Sequence, residues 1–399
     1  MTSRITAVSI ALCLVMTLGA CKHDVYPNFK PPLVCETEAA IERSVFFIGD
    51  AGAPQLPRAR PGLPDPLVDP VLSSLQRDVA ARVEKLGAER TAVVFLGDNI
   101  YPAGLALPGE KRHAHGLRVL EAQIAAVGDA RGLFTLGNHD WDQGKRGRGW
   151  DVANAQVQYL SARAPNISVH PGGTCPGPEV MDFGSRIRFV FIDTWAAIHQ
   201  IETRDERQAS CPYQAGENRI LHRLVEIFAE SKGREVILVT HAPMMTSGPH
   251  GGYFPWREHV FPLRVFHRDL WIPLPIIGSL FPLARIMGVS GTDMMSSTYR
   301  ATIDNTKSTF RPGMPSLVAA GHEHSLQIHV DPTSVMHAVS GAGSVKKVDY
   351  VRTMNSDLMS LAAPGYMRLD SFVDDKSRLT VFALDDDGVR HFVYSTCVP

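Results

Sequence analysis

Asp50, Asp98, Tyr101, Asn138, His241, His322 and His324 lie far apart in the chain, yet together they offer two carboxylates, a phenol, an amide and three imidazoles. This is a mixed oxygen and nitrogen donor set without sulfur. Such a set suits iron, zinc or manganese, and does not suit copper(I) or an iron–sulfur cluster. His322 and His324 are two residues apart, so an extended strand end points both rings to one face. His139 lies directly after Asn138 and is a candidate for moving a proton, with the neighbouring Asp140 in place to orient it. His250, nine residues after His241, is a candidate of the same kind.

Each of these clusters follows a short apolar run. Ser44 to Ile48 leads into Gly49-Asp50-Ala51-Gly52, and Ala92 to Leu96 leads into Gly97-Asp98-Asn99. Leu133 to Leu136 leads into Gly137-Asn138-His139-Asp140. Val236 to Val239 precedes His241, and Leu317 to Ala320 precedes Gly321-His322-Glu323-His324. These runs read as buried strands, all but the one before His241 ending in glycine-containing turns. Helical patterns lie between them, at about 70–86, 117–127, 151–163 and 216–231. Ile187 to Ile192 is a further strand, and the Asp193 that ends it is assigned to capping its own turn. From Gln327 to Val393 short strands and turns alternate with little helix. Alternation of strand and helix predicts an α/β fold with a mostly parallel, sandwiched sheet. In such sheets ligands bind outside the carboxyl ends of the strands, so the clusters are expected to converge on one rim.

In that order, Gly49-Asp50-Ala51-Gly52, Gly97-Asp98-Asn99-Ile100-Tyr101, Gly137-Asn138-His139-Asp140, Leu238-Val239-Thr240-His241 and Gly321-His322-Glu323-His324 resemble the five blocks of the calcineurin-like metallophosphoesterase superfamily. Within it the chain looks most like the purple acid phosphatases of the tartrate-resistant type. Many superfamily members carry a metal-binding His where this chain has Gly52, and in the purple acid phosphatases the tyrosine of the second block supplies the missing ligand. Leu238 departs from the usual Val. The resemblance implies mixed β-sheets sandwiched between flanking helices, in one catalytic domain. It implies two ions, Fe(III) plus divalent iron, zinc or manganese. Asp50, Tyr101 and His324 would hold one ion, Asn138, His241 and His322 the other, and Asp98 would bridge. It implies hydrolysis of phosphate monoesters of small phosphorylated substrates by a metal-bound hydroxide, with His139 and His250 binding phosphate and protonating the leaving group. Diesters or pyrophosphates, on nucleotides or lipid-linked groups, are the alternative substrates. A binding lipoprotein without turnover is the alternative from another class.

The rest of the chain sets the context. Of 399 residues 44% are hydrophobic and 20% charged, and the net charge is -1 without a basic stripe, which argues against a nucleic-acid partner. Residues 1–21 read as a targeting segment: Arg4, an apolar Ala7 to Thr17, then Leu18-Gly19-Ala20-Cys21, which resembles a bacterial lipobox. This predicts export and a lipidated Cys21 holding the protein at an outer membrane. Four further cysteines suit an oxidising compartment, and of three possible pairings Cys35 with Cys397 and Cys175 with Cys211 is favoured. Residues 22–42 read as a linker and 43–397 as the catalytic domain, with an insert at 245–315. Within the insert Leu270 to Ala284 is apolar and uncharged but broken by Pro273, Pro275 and Pro282, so a spanning helix is excluded. A buried subdomain or lid is expected there. A membrane-resting surface formed by residues 259–290 is the sharper alternative. His113 and His115 are expected to be solvent-exposed, Trp141 and Trp150 to pack, and Ser340-Gly341-Ala342-Gly343-Ser344 to form a turn beneath the site.

Overall fold

The computed structural model describes residues 28–57, 68–144, 148–163, 165–198, 211, 216–265 and 270–399. The predicted targeting segment 1–21 lies outside the described residues. The first half of the fold runs β1 (Asn28–Phe29), β2 (Ile41–Ile48), α1 (Pro70–Leu86), β3 (Thr91–Leu96), α2 (His113–Val127), β4 (Arg131–Thr135), α3 (Gly149–Ser161), β5 (Ile167–Val169), β6 (Glu179–Phe183) and β7 (Ile187–Ile192). It continues through α4 (Thr194–Ile198), α5 (Gly216–Glu230), β8 (Glu235–Thr240) and the short insert helices α6 (Trp256–Val260), α7 (Leu280–Ile286) and α8 (Ser297–Ser308). The strands β9 (Leu317–Ala320), β10 (Leu326–Val330), β11 (Met336–Ser340), β12 (Asp357–Leu361), β13 (Gly365–Phe372), β14 (Ser377–Leu384) and β15 (Arg390–Cys397) close the chain.

The strands form two sheets, ordered β15-β14-β13-β2-β3-β4-β5 and β1-β12-β10-β11-β9-β8-β7-β6. Both are mixed, where the strand and helix alternation predicted mostly parallel pairing. The β2-β3-β4-β5 and β7-β8-β9-β11 runs are parallel, but the helix-poor C-terminal strands can only return as antiparallel neighbours. Strand periodicity sorts the side chains into layers. Val45 and Phe47 of β2 face the core between the sheets, with Phe189, Ile237 and Ala319 of the other sheet. Phe46 and Ile48 face the opposite way, onto Val71, Leu75, Val119 and Leu160 of the covering helices. On the far side Val190, Leu238 and Val318 meet Leu224 and Phe228 of α5. The result is helix, sheet, sheet, helix. Strands buried on both faces explain the continuous apolar runs in the sequence.

α1 shows how locally consistent the sequence is. Asp69 caps it by accepting from Val71 N and Leu72 N at 3.0 Å, Pro70 opens the first turn, and Gly87 at φ 94° ends it. The predicted linker is tied down at both ends of its described part. β1 pairs with β12, and the Cys35–Cys397 disulfide joins chain positions 362 residues apart. Cys175 pairs with Cys211.

The insert corrects one expectation. It is not buried. Ile276 is 88% exposed, Ile277 65% and Met287 78%, and no large apolar side chain of the described residues 270–289 is buried. The prolines break this segment into short pieces, the longest the seven residues of α7, so it cannot present a long apolar stripe to a core. Among the described residues no helix is long and apolar enough to cross a membrane.

Candidate metal centre

The strand ends of both sheets meet at one rim. β2 delivers Asp50, β3 delivers Asp98 and Tyr101, β4 delivers Asn138, β8 delivers His241, and β9 delivers His322 and His324. All seven side chains come together, and the ligand atoms of Asp50, Asp98 and His241 lie within 4.8 Å of one another. Asp50 (φ 59°), Asp98 (φ 53°) and His322 (φ 69°) have left-handed backbone, which is sparsely populated by residues other than glycine. Strain held at several donors of one site marks a site built for function. The preceding glycines are required by crowding. A Cβ at Gly137 would sit 2.3 Å from Asp98 Oδ1, and one at Gly97 would sit 2.6 Å from His241 Nδ1.

Hydrogen bonds on the far side of each imidazole fix its tautomer and therefore its free nitrogen. His241 Nδ1 donates to Leu96 O at 2.8 Å, leaving Nε2 toward the cluster. His322 Nε2 donates to Thr292 O at 2.9 Å, leaving Nδ1. His324 Nδ1 lies 2.7 Å from Asp349 Oδ2, leaving Nε2. Asn138 Oδ1 is 3.0 Å from both His241 Nε2 and His322 Nδ1, which are themselves 3.2 Å apart. These three atoms all present lone pairs, with no proton among them to share. A cation turns this repulsion into coordination, so the donor set fits a metal ion. Asp50 and Tyr101 form the other side: Tyr101 Oη donates to Asp50 Oδ1 at 2.8 Å and lies 3.0 Å from His324 Nε2.

Three titration directions agree with this division, whereas at His241 burial lowers the pKa but the Asp98 and Asp50 carboxylates outweigh it and raise it. Burial, then the nearby carboxylates of Asp50 and Asp98, push the Tyr101 phenol far up, so only an added cation can make it a tyrosinate. Burial and the neighbouring rings of His250 and His241 hold His322 well below the usual range, as a neutral ligand requires. Burial opposes charge on His324, but Asp349 and Asp50 outweigh it and hold its pKa well above normal.

His139 and His250 each lie against one side of the cluster. The His139 ring stacks edge-on to Tyr101 at 4.5 Å, and its Nε2 is 3.8 Å from Asp98 Oδ2. The His250 ring lies 4.2 Å from that of His322. Asp140 requires a correction, because it does not orient His139. Its buried carboxylate accepts from Gly137 N, Asn99 N and Ile100 N at 2.9, 3.0 and 3.2 Å, tying the Asp98 turn to the Asn138 turn. His139 is oriented by donating Nδ1–H to Pro102 O at 2.6 Å. His250 is held by Asp293, 2.9 Å from Nδ1, and Arg285 grips both oxygens of that carboxylate. Thr292, Asp293, Asp349 and Pro102 were not foreseen, since they lie in irregular segments that carry no periodic signal, and Arg285 was not foreseen because it lies in a short helix just past the uncharged run.

Other expectations are settled by contacts. Asp193 caps its turn by accepting from Ala196 N at 2.8 Å, and it also accepts from Trp141 Nε1 at 2.8 Å, which places that indole inside the fold. The Ser340 to Ser344 turn lies beneath the site: Gly49 N donates to Ser340 O, and Ser344 Oγ donates to Asp50 O. His115 is exposed, whereas His113 is half-buried and bonds Ala106 O, because α2 starts four residues earlier than the pattern suggested.

A profile of the calcineurin-like phosphoesterase family matches residues 44–273, and this chain belongs to that family. No curated protein sequence matches it. Among solved structures it is similar to purple acid phosphatase PPD1 from yellow lupin (Lupinus luteus) seeds, at 13% identity and a TM-score of 0.50, over 90% of this chain and 54% of that one. This chain thus spans about half the length of the lupin enzyme, and the likeness shows the fold alone. It is also similar to GAP50, the anchor in the inner membrane complex of Plasmodium, at 14% identity and a TM-score of 0.48, over 90% of this chain and 89% of that one.

Proposed function

We propose that this protein hydrolyses phosphate monoesters at a two-metal centre, in the manner of an acid phosphatase. The observation that carries the reading is the pair of donor groups around Asp98. Asp50, Tyr101 and His324 Nε2 would hold one ion, and Asn138 Oδ1, His241 Nε2 and His322 Nδ1 would hold the other. Asp98, close to both Asp50 and His241, would be shared. When bound, the ions supply Lewis acidity and lower the pKa of water at neutral or acidic pH.

The remaining roles fall to the chain itself. His139 keeps its Nδ1 proton on Pro102 O, so Nε2 faces the site and can donate only when the ring is protonated. The His250 ring lies beside that of His322, with Nδ1 2.9 Å from Asp293 Oδ1. Both rings are partly exposed, at 18% and 17% of the side chain, while the donors beneath them other than His324 are buried. An anionic phosphoryl group entering from solvent meets these two rings first. They neutralise it and can protonate the leaving alkoxide.

The charge of the donors supports an asymmetric pair of ions. Asp50 with a tyrosinate at 101 is a hard, doubly anionic set suited to Fe(III). The amide and two neutral imidazoles suit a divalent ion such as iron, zinc or manganese. The test is metal analysis and visible absorption of the purified protein, with turnover of an aryl phosphate and a bis-aryl phosphate. Two ions, a charge-transfer band lost in Tyr101→Phe, and aryl phosphate turnover lost in Asp98→Ala support the proposal. Preference for the bis-aryl substrate would make it a diesterase. Absence of turnover on both, in a metal-loaded protein, would refute catalysis.

A further inference from the structure

We propose that the exposed apolar face of the insert is a docking surface for a lipid bilayer. Residues 270–284 contain no charged side chain. Trp271, Ile272, Ile276, Ile277, Leu280 and Met287 lie between 45% and 88% exposed. Scattered apolar side chains at a surface are ordinary, but a dense run of them marks an interaction site. The composition at its edge suits a membrane interface. Trp271 packs on Phe261 at 5.3 Å, and the Arg264 guanidinium lies 3.9 Å from its ring centre. An indole with a cation beside it is at home among lipid head groups.

The insert is also firmly tied to the rest of the molecule. α7 carries Leu280 and Leu283 outward and Arg285 inward, where Arg285 grips Asp293 and so His250. Gly278 N donates to Leu274 O, and Leu274 N to Val260 O at 2.7 Å, closing the turns on α6. The apolar side chains are therefore held outward by a built framework.

The course of the N-terminus selects lipid as the occupant. β10 starts directly after His324, at the rim, and pairs antiparallel with β12, Leu326 opposite Leu361. β12 in turn pairs antiparallel with β1, Asn28 opposite Ser360. The chain therefore enters β1 from the rim, the same side from which the insert leaves β8. Between Cys21 and Asn28 the chain spans at most roughly 25 Å. The lipobox-like Cys21 is thus within that chain length of the rim. A lipid on Cys21 would bring the insert face to the same membrane.

This inference does not depend on the phosphoesterase reading. Its test uses the chain from Lys22 onward, which keeps every described residue and removes the lipid site. Flotation with vesicles of phosphatidylethanolamine and phosphatidylglycerol is compared between this protein and a combined Ile276→Ser, Ile277→Ser, Leu280→Ser variant. Retention of the parent, reduced at least roughly tenfold in a variant with unchanged circular dichroism and melting temperature, supports docking. No retention of the parent, or equal retention of both, overturns it. A concentration-dependent dimer by light scattering that the variant abolishes, without vesicle binding, would assign the face to a second copy and likewise overturn it.

Discussion

The two donor groups flanking Asp98 are backed in different ways. On one side His324 leans on a carboxylate, Asp349, next to the anionic Asp50 and the Tyr101 phenol. On the other, His241 and His322 lean on the neutral carbonyls of Leu96 and Thr292 and share Asn138. A carboxylate behind an imidazole raises its basicity more than a carbonyl does. The first group is therefore richer in negative charge in both of its shells. The contrast shows that the asymmetry of the proposed centre lies in the supporting residues as well as in the ligands. It also shows that the insert, through Thr292, fixes one ligand directly.

The largest expected effect is at the shared position. Asp98→Asn should remove both ions and abolish turnover, exceeding the roughly 10–100-fold typical of supporting residues, as read by metal analysis and kcat. Next come changes confined to one group. Tyr101→Phe should lose one ion and the visible band while the other ion stays. Asp349→Asn should weaken affinity on the Asp50 side by roughly 10–100-fold and leave the Asn138 side unchanged in competition with a chelator. Equal loss of both ions in Asp349→Asn would break the comparison.

His250→Ala and His139→Ala should each lower kcat by roughly 10²–10³-fold with metal content unchanged, and the deficit should shrink for substrates with acidic leaving groups. Asp293→Asn, which loosens the hold on the His250 ring, should produce a milder version of His250→Ala with the metals retained.

The smallest effect serves as a control. His337 and Asp331 form a buried pair at 3.2 Å in the sheet, away from the rim. Burial acts to raise the Asp331 pKa, but hydrogen bonds from His337 and Thr333 more than offset it and leave it well below the usual 3.8. A depressed folded-state pKa means stability that is present above pH about 4 and lost as pH falls further. Thermal melts between pH 7 and 3 should show this loss, and Asp331→Asn should flatten it at a cost of about 1–3 kcal/mol near pH 7, leaving turnover intact.

The donors were legible in the sequence because each one ends an apolar strand, and a glycine marks the turn where the backbone is crowded. Gly97 and Gly137 are spaced by that crowding, so the pattern is steric before it is chemical. Asp349 and Asp293 could not be read, because their partners are chosen by tertiary contact between irregular segments. Asp140 was singled out for the wrong role: its sequence neighbour is His139, but its bonds go to the backbone of Asn99 and Ile100. The exposure of Ile276 and Ile277 was hidden for a different reason. Apolarity alone does not tell a core from a surface, and only the prolines hinted that the segment could not fold inward.

The Cys35–Cys397 bond has a mechanical consequence. It stands between the N-terminal end of the chain and β2, the strand that ends in Asp50. Tension applied to residue 28 is shared first by the β1–β12 pairing and then reaches Cys35, where the covalent link passes it to β15 at the margin of the other sheet. The strand that ends in Asp50 lies beyond that branch point.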